Sequence, residues 1–134
     1  MDSKTRRLAL TVDLAPTVLD LVGLPISPSI QGRSLLPLLR GAPASWRKAV
    51  LVEFYTNEQP LPYLLDMDYK AIRTGRYKYI HWIKFPGQDE LYDLQADPLE
   101  RRNLATDPAM CTVRASLRAD LGKLVLEAVG LPNP

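Results

Sequence analysis

The chain holds one histidine, His81, and one cysteine, Cys111, and that scarcity bounds its chemistry. A single thiol cannot close an intrachain disulfide or build a cysteine zinc site. A single imidazole excludes any mechanism that needs two, and no Ser–His–acid or Cys–His arrangement can be argued around it. No glycine-rich phosphate loop is present. The metal donors that remain are carboxylates: Asp66 and Asp68 in "LLDMDYK", and Asp93, Asp97 and Glu100 in "YDLQADPLE". Calcium takes roughly six to eight oxygens, usually arranged by a glycine-containing loop. Neither stretch follows that spacing, so both are read as turn carboxylates, and no metal site is expected in the chain. The pattern with most capacity for binding is "RYKYIHWIK", residues 76–84. As a strand it sets Tyr77, Tyr79, His81 and Ile83 on one face and Arg76, Lys78, Ile80, Trp82 and Lys84 on the other. Alternating basic and aromatic side chains can stack on nucleic-acid bases or on sugars. The absence of a wider basic patch argues against nucleic acid.

The elements that must position these residues are punctuated by proline and glycine. "DLAPTVLDLVGLP" reads as a helix, with Asp13 as its cap, Pro16 in the first turn, and Gly23 and Pro25 as its stop. Leu14, Val18, Leu19, Leu21 and Val22 cover most of its circumference, so it needs partners on more than one side. "GRSLLPLLRG" (Gly32–Gly41) reads as a second short helix, with Ser34 as cap and Pro37 in its first turn. Lys48–Tyr55 is rich in β-branched and aromatic residues and reads as a strand. Tyr69–Ile83 reads as two strands about the turn Thr74-Gly75-Arg76, with Gly75 expected at positive φ. Glu90–Leu94 gives a short fourth strand. Between the first two strands runs "TNEQPLPYLLDMD", a long connection of the kind that often carries function. Asp93, Asp97 and Asn103 can accept from backbone amides in the turns that follow. Asp107-Pro108 opens a last helix, ended at Gly130, whose stripe Met110, Val113, Leu117, Leu121, Leu124 and Ala128 suits one sheet face. The fold class is therefore α+β: a small antiparallel sheet of about four strands with a C-terminal helix packed on it, preceded by one or two N-terminal helices.

Composition agrees with a globular chain. The 134 residues are 46% hydrophobic and 24% charged, which permits a real core. Basic and acidic residues are interleaved, and a net charge of +2 is too weak for an electrostatic nucleic-acid binder. No apolar run approaches the ~20 residues of a membrane span, and "MDSKTRRLALTVDLAP" has too short an apolar stretch for an export signal.

Four segments together resemble the sulfatase family. "ELYDLQADPLERRNLA" (Glu90–Ala105) is similar to the family's C-terminal signature. "VDLAPTVLDLVGLP", "GRSLLPLL" and "AIRTGRYKYI" match further sulfatase segments in the right order. The group most resembled is that of N-acetylglucosamine-6-sulfatase and N-sulphoglucosamine sulphohydrolase. The resemblance implies a fragment of an alkaline-phosphatase-like fold. Residues 1–45 would be a helical remnant of the catalytic subdomain's edge, and 46–134 the C-terminal subdomain. It also implies hydrolysis of sulfate esters by a formylglycine made in a C-x-P-S-R motif, with calcium beside it. Neither cofactor is expected in this chain. Around Cys111, Val113 stands where the motif has Pro, Ala115 where it has Arg, and Arg114 is one residue early. No catalytic residue is assigned, and the chain alone is not expected to catalyse. Its partners would be the absent catalytic domain and a sulfated glycan or aryl sulfate, with neither nucleic acid nor membrane. Because this subdomain helps border the substrate cleft in the family, Arg73, His81 and Trp82 become candidate substrate contacts. Core packing and sheet pairing are the ordinary account of the same residues. The competing functions are a freestanding carbohydrate-binding or protein-interaction module, and a truncated reading frame. Localisation stays open, since relatives in the family are often exported.

Overall fold

The structure, a computed structural model, describes residues 7–41, 45–56 and 66–130. The chain divides into two compact units, one ending at Lys48 and the other starting at Ala49.

In the first unit a short 3-10 turn, Thr11–Asp13, runs into helix α1, Leu14–Leu21, and a single-turn helix α2, Leu36–Leu39, follows. Asp13 does not cap α1 through its side chain. It is fully buried, and its carboxylate accepts from the amides of Leu10 (2.8 Å) and Arg33 (2.9 Å) and from the guanidinium of Arg47. The cap is lost because these distant donors compete for the same two oxygens. Ser34 likewise stands outside the cap position of α2, which Leu35 occupies, although its hydroxyl accepts from the Leu36 amide. Thr17 donates to the Asp13 carbonyl and accepts from the Leu35 amide at 2.8 Å, tying α1 to the segment before α2. Gly23, at φ +73°, lets the chain leave α1. Gly32 sits so close to the carbonyl of Val12 that a Cβ there would lie 2.0 Å from its oxygen. Pro16 and Thr17 are buried, whereas Leu14, Val18, Leu21, Val22 and Leu24 are each more than half exposed.

The second unit is the expected sheet and helix. Strands β1 (Ala49–Phe54), β2 (Tyr69–Thr74), β3 (Tyr77–Trp82) and β4 (Glu90–Asp93) form a four-stranded antiparallel sheet in chain order. Most of the long connection before β2 lies outside the described residues. Its ends are held together by Asp68, whose Oδ1 accepts from the amide (2.7 Å) and hydroxyl (2.8 Å) of Thr56. The β2–β3 turn differs from expectation in one respect: Gly75 does not adopt positive φ. Thr74 holds this turn instead, its hydroxyl accepting from Tyr77 N at 2.8 Å. The left-handed glycine of this sheet is Gly87, at φ +82°, between β3 and β4.

Helix α3, Cys111–Ala128, covers one sheet face. Asp107 accepts from Ala109 N at 2.9 Å and starts the 3-10 turn that leads into it. Ile72, Tyr79 and Leu91 are completely buried beneath the helix with Leu117, Leu121 and Ala105. Leu124 and Val125 pack at the edge of this core, while Ala128 is exposed. The apolar stripe therefore ends a turn earlier than its spacing suggests, because the sheet beneath it is only four strands wide. The "ELYDLQADPLERRNLA" segment is a hydrogen-bonded corner. Asp93 accepts from Gln95 N and Ala96 N and pairs with Arg76 at 2.8 Å. Asp97 accepts from Arg101 N and Arg102 N. Asn103 accepts from Leu91 N (3.0 Å) and Ala105 N (2.9 Å), joining the strand to the approach of α3.

Candidate functional site

Pairing fixes which side chains share a face. Residues opposite one another in the ladder point the same way, so Tyr69 and Trp82 stand together, as do Arg73 and Lys78, on the face away from α3. His81 pairs with Lys70 and lies on the α3 face. The three candidate contacts are thus not one site. His81 is on the opposite face from the other two. Arg73 is four residues along β2 from the partner of Trp82, a separation of about 13 Å at ~3.3 Å per residue.

Trp82 belongs to a run of aromatic rings. Phe54 stacks on Tyr69 with centroids 5.6 Å apart, Tyr69 meets Trp82 edge-on at 5.3 Å, and Trp82 meets Phe85 edge-on at 6.3 Å. Trp82 Nε1 donates to Glu90 Oε1 at 2.9 Å, which sets the plane of the indole. The other oxygen of Glu90 accepts from the Tyr92 hydroxyl. Burial, aided by that carboxylate, pushes the Tyr92 phenol up to about 12, so it remains a donor at neutral pH. Met67, Trp82, Phe85, Gln88 and Glu90 line an open cavity of about 320 Å³. An apolar ring wall beside a few convergent polar groups is the composition of a small-ligand pocket.

His81 belongs to a second arrangement, on the α3 side. Its Nδ1 lies 2.9 Å from Asp89 Oδ1, and the buried Tyr79 hydroxyl donates to Asp89 Oδ2. Burial alone would raise the Asp89 pKa. The bonds from Tyr79 and His81 and the charge of Arg118 outweigh it, holding the carboxyl below its ordinary value. Burial foremost, with Asp89 beside it, raises the Tyr79 phenol far above its usual range. His81, Pro86, Gly87, Asp89, Ala105, Thr106, Arg114 and Arg118 enclose a cavity of about 410 Å³. Arg114 and Arg118 carry no turn or motif signal in the sequence. Their spacing of four on α3 was the one available hint that they share a helix face.

The carboxylates named as possible metal donors are taken up by protein partners. Asp66 pairs with Lys84 at 2.7 Å, Asp68 is engaged by Thr56 and Lys84, Asp93 by Arg76, and Glu100 by Lys78. Among the described residues no group of three or more His, Cys, Asp or Glu could hold a metal ion. Cys111 is exposed on α3. These residues fit neither a calcium cradle nor a formylglycine precursor. Among the described residues no helix is long and apolar enough to cross a membrane.

Comparison with known proteins places this architecture. The profile of the family "N-sulphoglucosamine sulphohydrolase, C-terminal" matches residues 1–127. The chain is 38% identical over 105 residues to an N-acetylglucosamine-6-O-sulfatase of Bacteroides thetaiotaomicron, covering 76% of this chain and 18% of the relative. It is 34% identical to a choline-sulfatase of Rhizobium meliloti, covering 81% of this chain and 20% of the relative. A solved structure of a protein in complex with its substrate D-glucosamine-2-N,6-O-disulfate superposes with a TM-score of 0.74 at 33% identity, over 86% of this chain and 23% of that one. The phosphonate monoester hydrolase of Agrobacterium radiobacter superposes with a TM-score of 0.76 at 30% identity, over 90% of this chain and 25% of that one. The chain thus spans about a fifth of the length of the curated relatives it matches. With the family profile matched over residues 1–127 and the solved structures superposing on most of the chain, the chain belongs to the N-sulphoglucosamine sulphohydrolase C-terminal family and is a sulfatase-like C-terminal region of alkaline-phosphatase-like fold.

Proposed function

We propose that this region completes a sulfuric ester hydrolase whose nucleophile and metal are supplied by a catalytic part outside this chain, and that its sheet borders the cleft for a sulfated glycan. The observation that carries this reading is the match itself. Residues 1–127 fit the family's C-terminal profile, yet they cover about a fifth of each relative and contain no C-x-P-S-R segment. The calcium and formylglycine of sulfatase chemistry belong, on this reading, to the catalytic part. The phosphonate monoester hydrolase shares the same C-terminal architecture. That likeness to a hydrolase of a different ester supports a role in position and access for this region.

The exposed aliphatic side chains of α1 support the same reading. Leu14, Val18, Leu21 and Val22 lie 59–65% exposed, and an apolar face of that kind marks a contact surface. The catalytic part is its proposed occupant, since the relatives are some five times longer than the matched region. Trp82 and Phe85 offer a stacking wall for a sugar ring, with Gln88 and Glu90 in reach of its hydroxyls. Arg73, away from that wall, is proposed as a contact to a more distant part of the substrate.

Reading the coding sequence upstream of Met1 tests the proposal. An in-register segment encoding C-x-P-S-R is expected there. An in-frame stop codon with no such segment would contradict it.

A further inference from the structure

The cavity enclosed by His81, Asp89, Arg114 and Arg118 has the polarity of a binding site that the aromatic wall does not explain. Arg114 and Arg118 stand one helical turn apart on α3, where like charges repel. Neither guanidinium forms an ion pair among the described residues. Arg114 is steadied by donating to the Ala105 carbonyl, and Arg118 acts on Asp89 only through its charge. Two arginines against one carboxylate leave positive charge in excess within the cavity. Guanidinium donors in a fixed fork suit an oxyanion better than any other ligand group.

His81 adds a second requirement. An ionised Asp89 can only accept, so the imidazole donates to it from Nδ1. That leaves Nε2 of the neutral ring as an acceptor, suited to a hydroxyl donor. The Tyr79 hydroxyl holds the other Asp89 oxygen and fixes this orientation. At about 410 Å³ the cavity falls within the range of small-ligand pockets, roughly 300–1,000 Å³.

We propose that this pocket binds an acidic sugar residue, its sulfate or carboxylate held by Arg118 and Arg114 and a ring hydroxyl donating to His81 Nε2. That the ligand is an oxyanion follows from the guanidinium pair. That a sugar carries it rests also on the function proposed above.

The test is a titration of the 134-residue chain followed by NMR at the Arg118 and Arg114 side-chain Nε–H groups and the His81 ring. The probes are inorganic sulfate, glucosamine, glucosamine 6-sulfate and glucuronate. Saturable shifts at all three residues are expected with the two acidic sugars, which separate sulfate from carboxylate as the source of the anion. Loss of the charge-assisted bonds in Arg118→Gln should weaken binding about tenfold or more. Arg118 is exposed, so this variant should keep the wild-type circular dichroism spectrum. Equal affinity for glucosamine and glucosamine 6-sulfate, or for inorganic sulfate and the acidic sugars, would overturn the proposal, as would signals that stay unmoved. The sulfatase reading is decided separately by the upstream coding sequence, so either can fail without the other.

Discussion

Asp13 and Arg47, far apart in sequence, meet as a two-bonded ion pair: Nη2 to Oδ1 at 2.7 Å and Nη1 to Oδ2 at 2.9 Å. The aspartate is fully buried and the arginine side chain only 11% exposed. The same carboxylate holds the Leu10 and Arg33 amides. One side chain thus closes the first unit on itself. Burial opposes ionisation of Asp13, but the Arg47 bond and the two amides outweigh it and depress the pKa. A depressed carboxylate pKa contributes stability above the unfolded value, near 3.9, and that stability is lost as pH falls through the folded value. Asp13→Asn should destabilise the first unit by about 3–5 kcal/mol, because it leaves Arg47 without its counter-charge. Hydrogen exchange across Leu10–Arg33 checks this. Wild-type protection should hold at pH 6 and fall below about pH 4, whereas the variant should lack it at both.

Backbone geometry gives a paired prediction. Gly32→Ala would place its Cβ against Val12 carbonyl oxygen, and overpacking against backbone costs typically about 1–3 kcal/mol. Gly75 has negative φ and open space around it, so Gly75→Ala should change stability by less than about 0.5 kcal/mol. Thermal melts of the two variants check the contrast.

The α1 surface predicts behaviour in solution. Val18 and Leu21 are 59% and 65% exposed, and each such side chain left in water forgoes roughly 1.5–3 kcal/mol of burial. Replacing both by Lys should reduce ANS binding and self-association without lowering the melting temperature. If the variant unfolds, these side chains are buried in the protein and the α1 surface is not a contact face.

The aromatic wall predicts a sugar response. Stacking on an aromatic face is worth about 1–3 kcal/mol where measured for nucleobases, and a comparable loss is expected from Trp82→Ala. Glucosamine 6-sulfate should quench tryptophan fluorescence in the wild type and leave the remaining Trp46 signal of the variant unchanged.

Much of the sheet was legible because its signals are local. Alternating aromatic and β-branched runs gave β1 to β4, and the Thr74–Arg76 turn fixed the β2–β3 hairpin. The same alternation correctly separated His81 from Trp82. Local spacing failed where distant partners decide the outcome. Asp13 looked like a cap because Arg33 and Arg47 could not be seen beside it. Ala128 continued a helical stripe past the end of the sheet that α3 covers. The His81 cavity was illegible for the same reason. It is assembled from the β3–β4 connection, the turn at Ala105–Thr106 and the first turns of α3, and only the folded sheet brings these together.

The most direct test of the account is turnover of an aryl sulfate and of glucosamine 6-sulfate by the purified 134-residue chain, with and without calcium. No release of sulfate above background is expected under any of these conditions, and the same result is expected for Cys111→Ala. Sulfate release by the chain alone would contradict it, and release abolished by Cys111→Ala would place the nucleophile on α3.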